Sequence, residues 1–209
     1  HGRSYCPHCQ HSLHTLDLLP ILSYLFLRGK CRYCKQSISI RYFLVEMIFS
    51  ILFCLVAYFK HPTEIVGYFL CTICMLIALM DVDSYEIDLR LLLVLTMVGF
   101  SIRLDAVEGV ILSMVAGLIL YITVYGVGKR IWQEEVFGMG DVYFLAALGP
   151  YFSLSQILFV GLFSFVIGGG VVIGWMILSK RNQLYEKIPF APFISISALL
   201  TYLFSIQWF

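Results

Sequence analysis

The sequence predicts an all-α polytopic membrane protein of about seven transmembrane helices, preceded by a small polar module. Two observations carry this expectation. Of the 209 residues, 60% are hydrophobic and 13% charged, with a mean hydropathy of +0.89, whereas an ordinary soluble domain carries about 25% charged residues. A soluble fold of this size leaves roughly 30% of its unfolded surface in water, so most of this chain needs lipid as its solvent. The second observation is where the polar residues sit. Residues 1–41 hold four of the seven cysteines, four of the five histidines and six of the fourteen Lys and Arg. The net charge of +1 provides no polybasic field of the kind that drives nucleic-acid binding.

Taken in order, the polar module occupies residues 1–41, and apolar runs follow at 42–59, 65–80, 89–104, 107–128, 141–152, 154–178 and 190–208. About 20 residues cross a hydrocarbon core, and only helices and closed barrels satisfy the backbone there. The alternating ten-residue pattern of a barrel is absent, so each run is expected as a helix. The fifth is short and ends at Gly149-Pro150, so its depth is the least defined of the seven.

Orientation follows from the basic residues, which are retained on the cytoplasmic side. With seven spans and the module inside, the cytoplasmic segments contain Arg3, Arg28, Lys30, Arg32, Lys35, Arg41, Arg90, Lys129, Arg130, Lys180, Arg181 and Lys187, and the opposite side only Lys60 and Arg103. Adding or removing one helix would invert every later loop. The chain starts at His1 with neither an initiator methionine nor a signal peptide, so a further segment is expected upstream.

Within the module, Cys6-Pro7-His8-Cys9 and Cys31-Arg32-Tyr33-Cys34 form two CxxC pairs separated by 21 residues. Each pair can place two thiolates on one side of a metal, and two pairs complete the tetrahedral sulfur shell of a structural Zn²⁺ with no open position for catalysis. Disulfides are the alternative, but thiols stay reduced in the cytoplasm. Cys54, Cys71 and Cys74 lie inside apolar runs and are expected to pack as small hydrophobes.

Three acidic residues, Glu46, Asp81 and Asp141, adjoin or enter apolar runs, where an ionisable group is expensive and marks a candidate functional site. Asp81 ends the second run and Asp141 begins the fifth, so both are expected at the cytoplasmic face. Two close carboxyls in a partly dehydrated site tend to share one proton, which equips one as base and the other as acid for attack of water on a peptide bond. Helix capping, or pairing with Arg90 and Lys129, is the structural alternative.

Several motifs then occur in a fixed order: Cys6-Pro7-His8-Cys9, Leu19-Pro20-Ile21-Leu22-Ser23-Tyr24-Leu25, Gly29-Lys30-Cys31-Arg32-Tyr33-Cys34, Leu44-Val45-Glu46, Asp81, Gly138-Met139-Gly140-Asp141 and Ile188-Pro189-Phe190-Ala191-Pro192-Phe193. Together they resemble bacterial type IV prepilin leader peptidases, GxGD membrane aspartyl peptidases of the bifunctional peptidase/N-methyltransferase type. The resemblance implies an eight-helix inner-membrane enzyme, so that seven spans here plus one absent amino-terminal helix would complete the set. It implies removal of the short basic leader of type IV prepilins and pseudopilins on the cytoplasmic side, and in many members N-methylation of the new terminus with S-adenosylmethionine. The family's catalytic aspartates carry over to Asp81 and Asp141, with Asp83 the rival for the first. Glu46 matches the pattern and is read as a polar helix-packing contact. Asp88 stands where a proline is common, and Tyr143 where a lysine is frequent. No glycine-rich nucleotide loop opens a βαβ unit, so the methyltransferase half rests on the resemblance alone.

Two other classes compete. In a membrane transporter the same carboxylates would bind an ion or proton and the zinc module would regulate, but paired broken helices in an internal repeat are not evident. In a membrane-anchored nucleic-acid binder, Arg28, Lys30, Arg32 and Lys35 would contact phosphate; retention on the cytoplasmic side already accounts for them.

Overall fold

The computed structural model describes residues 4–59, 64–133, 138–179 and 188–205. Helices α1 (Leu22–Phe26), α2 (Ile40–Tyr58), α3 (Glu64–Ser84), α4 (Leu89–Ile102), α5 (Val107–Trp132), α6 (Met139–Leu148), α7 (Leu154–Ser179) and α8 (Ala191–Ser205) follow one another, with short 3₁₀ turns at Thr15–Leu18, Leu104–Ala106 and Gly149–Tyr151. Among the described residues the only β pairing is two isolated bridges. The chain divides into two compact units, His1–Tyr58 and Phe59–Phe209.

The first unit is built on a local repeat. In the first turn Tyr5 bridges Ser12, Cys6 N–H bonds His11 O at 3.0 Å, and Gln10 N–H returns to Cys6 O at 2.9 Å. In the second, Lys30 bridges Ser37, Cys31 N–H bonds Gln36 O at 2.8 Å, and Lys35 N–H returns to Cys31 O at 3.1 Å. Gln10 and Lys35 take matching positive φ values of 56° and 60°, which reverse the chain after each CxxC. Two copies of one turn thus present their thiols alike. The module leads into α2, whose 19 residues span about 28 Å. Its only buried residue is Val56, while Ile48, Ile51 and Leu55 point outward, an arrangement that lipid tolerates and water does not.

The second unit surrounds α6. Val142, Phe144, Leu145 and Leu148 of that helix are fully buried, enclosed by α4, α5, α7 and α8. Apolar burial drives little association in lipid, where interhelical hydrogen bonds and close packing take over. Such bonds tie the bundle, among them Ser195 Oγ to Cys74 O at 3.0 Å, Ser197 Oγ to Val160 O at 2.8 Å, Tyr121 Oη with Ser164 Oγ at 2.5 Å, and Tyr151 Oη to Leu95 O at 2.8 Å. Each contributes about 0.6–1 kcal/mol in a membrane interior. The outer side of α7 exposes Phe159, Leu162, Val166 and Ile173.

All seven apolar runs are helical over most of their length. Among the described residues four helical stretches, Ile40–Tyr58, Glu64–Ser84, Leu104–Ile131 and Leu154–Leu178, are long and apolar enough to cross a membrane, and Leu89–Ile102 and Ala191–Phe204 are shorter apolar helices. The fifth run differs in kind: α6 has ten residues, about 15 Å of helix, half of a hydrocarbon core. Its apolarity reflects burial in protein rather than contact with lipid. Cys71 and Cys74 are buried as expected, whereas Cys54 is exposed on α2.

Candidate functional site

In the first unit the paired turns bring Cys6, Cys9, Cys31 and Cys34 together, with all four sulfurs within 4.8 Å of one another and Cys6 Sγ 3.9 Å from Cys34 Sγ. Tetrahedral Zn–S bonds of 2.3 Å require sulfurs roughly 3.8 Å apart, so this donor set fits a single ion. Backbone N–H groups of Cys9 and His8 bring the Cys6 thiol down to about 6. The Gln36 backbone favours the Cys34 thiolate, but burial and the neighbouring thiols outweigh it and push Cys34 up to about 11. One sulfur is thus ready as thiolate, and the crowding at another is what a cation would relieve.

Asp17, which the sequence did not single out, locks the cluster's second turn. Its side chain is 3% exposed and accepts from Arg32 Nε at 2.6 Å, from Tyr33 Oη at 3.4 Å and from His14 N at 3.1 Å. Arg32 and Tyr33 are the two residues between Cys31 and Cys34. Burial opposes its charge, but the Arg32 guanidinium and the His14 amide hold its carboxyl below the ordinary value of 3.8.

In the second unit, Asp81 near the end of α3 and Asp141 in the first turn of α6 are both buried, 6% and 7% exposed. Both line one cavity of about 380 Å³, with Tyr85, Glu86, Ile87 and Leu89 from the α3–α4 connection and the start of α4, and with Gly138, Met139, Gly140 and Tyr143. Ala191 N–H donates to Asp81 Oδ2 at 2.9 Å. Among the described residues Asp141 Oδ1 is buried without a hydrogen-bond partner, a costly state unless a ligand or water satisfies it. The glycines of the GMGD turn have steric reasons. A Cβ on Gly138 would stand 3.1 Å from Asp141 Oδ2, and one on Gly140 would stand 3.3 Å from Ile87. Asp83 is exposed and does not line the cavity.

Comparisons with known proteins match both parts of the chain. Residues 1–60 match the bacterial peptidase A24 N-terminal domain, and residues 68–173 match the type IV leader peptidase family. This chain belongs to the type IV leader peptidase family. It is 34% identical to a prepilin leader peptidase/N-methyltransferase of Dichelobacter nodosus, over 98% of this chain and 72% of that protein. It is 31% identical to the protein of that name from Aeromonas hydrophila over 96% of this chain and 71% of the relative, and 31% identical to one from Myxococcus xanthus over 87% and 55%. No solved structure shows significant similarity to it.

For a leader peptidase family member, the two departures from the family pattern have local explanations. Asp88 accepts from Arg90 N at 2.8 Å and caps α4, providing a helix start as a proline would. Tyr143, at the position where the resemblance leads one to expect lysine, lines the aspartate cavity. Glu46 makes its polar contact at the start of α1, whose N-cap is Ile21. Its carboxylate accepts from Ile21 N at 2.8 Å, so it holds a loop of the module onto α2. Family membership disfavours the ion-transport alternative.

Proposed function

We propose that the chain is a membrane-embedded aspartic endopeptidase that removes the basic leader of type IV prepilins and pseudopilins at the cytoplasmic face of the bacterial inner membrane. The observation that carries this reading is the cavity where Asp81 and Asp141, 60 residues apart in sequence, meet with one carboxylate oxygen unsatisfied. One carboxyl takes a proton from water as it attacks the scissile carbonyl, and the other gives a proton to the carbonyl oxygen. The relatives' shared name supports prepilin as substrate. In this reading residues 42–209 form the peptidase domain with seven membrane-embedded segments, α6 being the shallow one. Twelve of fourteen basic residues then lie on the cytoplasmic side.

Residues 1–41 serve as a cytoplasmic module held by structural Zn²⁺ on Cys6, Cys9, Cys31 and Cys34; the ion supplies a fold-closing cross-link and no catalytic position. N-methylation of the new terminus, with S-adenosylmethionine as donor, is the second half of the reading. It rests on the relatives' name alone, because no strand, glycine-rich loop and helix unit exists among the described residues. The deciding test is cleavage of a purified prepilin in detergent by wild type and by Asp81→Asn and Asp141→Asn variants. Full activity in either variant would sink the assignment. Incubating the cleaved product with labelled S-adenosylmethionine tests the methyl transfer separately.

A further inference from the structure

Asp81 and Asp141 share a cavity but not an environment. Phe193 N–H and Ile194 N–H bond Phe190 O at 3.0 and 3.3 Å, so Phe190 caps α8 and Ala191 is its first helical residue. The N–H groups of a helix's first turn have no partner within the helix. Here the Ala191 group is used by Asp81 Oδ2 at 2.9 Å. Asp141 Oδ1 is buried and meets no donor among the described residues. Both aspartates lie near a helix amino terminus, since Asp141 is in the first turn of α6. The helix dipole therefore favours charge on both, and the direct donors make the difference.

We infer that the start of α8 divides the labour of the dyad: the Ala191 N–H holds Asp81 as the ionised base, and Asp141 is the neutral proton donor whose Oδ1 waits for the substrate carbonyl. The inference rests on the peptidase reading. A carboxylate accepting backbone N–H bonds is favoured in its charged form, whereas a carboxyl with an orphan oxygen is best satisfied as an acid that donates to a ligand. In the forward step Asp81 takes a proton from water as the new C–O bond forms, and Asp141 gives its proton to the carbonyl oxygen, leaving a neutral gem-diol. On collapse, Asp81 returns its proton to the amide nitrogen as the C–N bond breaks, and a gem-diol hydroxyl restores the proton on Asp141.

Among the described residues, few groups are placed to disturb this division. Tyr85 and Glu86 from the α3–α4 connection and Tyr143 from α6 line the cavity with the two aspartates. Tyr121 of α5 lies within electrostatic range of Asp141. Arg90 at the start of α4 is exposed, and α8 approaches Asp81 with backbone. Ala191 is thus a positioning residue that acts through its main chain.

Two experiments on the full chain in detergent test this. Ala191→Pro deletes the N–H at a helix position that accepts proline. Its expected effect on prepilin cleavage is a fall in kcat of about tenfold at little change in KM, with the acid limb of the pH profile moved up by about one unit. Ala191→Gly keeps the N–H and should keep the wild-type profile. Independently of whether the proline variant folds, a small epoxide applied to wild type at neutral pH should form an ester at the ionised carboxylate, located by peptide mass spectrometry on Asp81. Ester on Asp141 with Asp81 unmodified, or an unshifted profile in folded Ala191→Pro, would overturn the inference while leaving the peptidase reading intact. Wild type that cleaves no prepilin would overturn the peptidase reading itself.

Discussion

The Glu46 carboxylate accepts a 2.8 Å hydrogen bond from the backbone N–H of Ile21, 25 residues earlier in the chain. Ile21 has φ 62° and ψ −52°, and Leu22 N–H bonds back to Pro20 O, which makes Pro20-Ile21-Leu22 a γ-turn of the rare positive-φ kind. Such a turn is strained, the more so for a β-branched residue, and persists where its surroundings over-determine it. Glu46 supplies that constraint. Replacing it by Ala removes a charged acceptor and should destabilise the first unit by about 2 kcal/mol. Glu46→Gln, which keeps an acceptor oxygen, should cost about half as much. Protease resistance of the module in detergent measures both, and equal resistance of Glu46→Ala and wild type would refute the constraint.

The dyad predicts a steep and selective loss. Asp81→Asn and Asp141→Asn each remove one proton-transfer partner, which should lower leader cleavage at least about 10³-fold without altering membrane insertion. Asp83→Asn, at an exposed position outside the cavity, should cleave at near the wild-type rate. Initial rates on one prepilin, normalised to folded enzyme, distinguish the three. A loss in Asp83→Asn equal to that in Asp81→Asn would reassign the first aspartate.

What was legible beforehand follows the strength of each signal. Long apolar runs mark helices because lipid leaves the backbone no other partner, so α2 to α8 begin and end near their expected positions. The four thiols were legible because CxxC spacing states its own geometry. Glu46 was not, because its partner is the main-chain N–H of Ile21, and a backbone donor has no sequence signature. The same holds for Ala191 and Asp81. Asp17 is the one acid of residues 1–41, but a lone carboxylate in a polar segment forms no pattern, and only the fold reveals that Arg32 and Tyr33 converge on it. The sequence marks α6 as apolar, but apolarity alone does not separate contact with lipid from burial in protein.

Asp17 leads to a pH prediction. Its folded carboxyl lies below the ordinary value of 3.8, so its charged contacts stabilise the module above that pH and are lost as pH falls through the folded value. Arg32 is half exposed, and solvent screening keeps the gain small. Asp17→Asn should therefore lower the module's unfolding temperature at neutral pH and flatten its decline below about pH 4. Melting curves of the two proteins at matched metal content, from pH 3 to 7, would expose an error as parallel declines.

The thiol cluster predicts one Zn²⁺ per chain by elemental analysis, and loss of protease resistance in the first unit on strong chelation. Because four sulfurs leave no open coordination position, Cd²⁺ should substitute with leader cleavage retained. Abolished cleavage in the fully Cd²⁺-loaded protein would mean that the metal has a chemical role.

Gly138 offers the sharpest test of geometry in the cavity. A methyl group there would stand 3.1 Å from Asp141 Oδ2, closer than most real Cβ contacts, while the opposite oxygen Oδ1 is buried and unpartnered. The carboxylate must turn or shift by a few tenths of an ångström to admit it. Displacement of a reacting group costs rate rather than affinity, up to about 10²-fold for 1 Å. Gly138→Ala should therefore lower kcat about tenfold at nearly constant KM, with the protein still folded. Gly128→Ala, at a glycine with nothing within 4 Å of an added Cβ, is the matched control and should leave kcat unchanged. A rise in KM alone in Gly138→Ala would place the glycine on the substrate-binding wall and remove it from the positioning of Asp141.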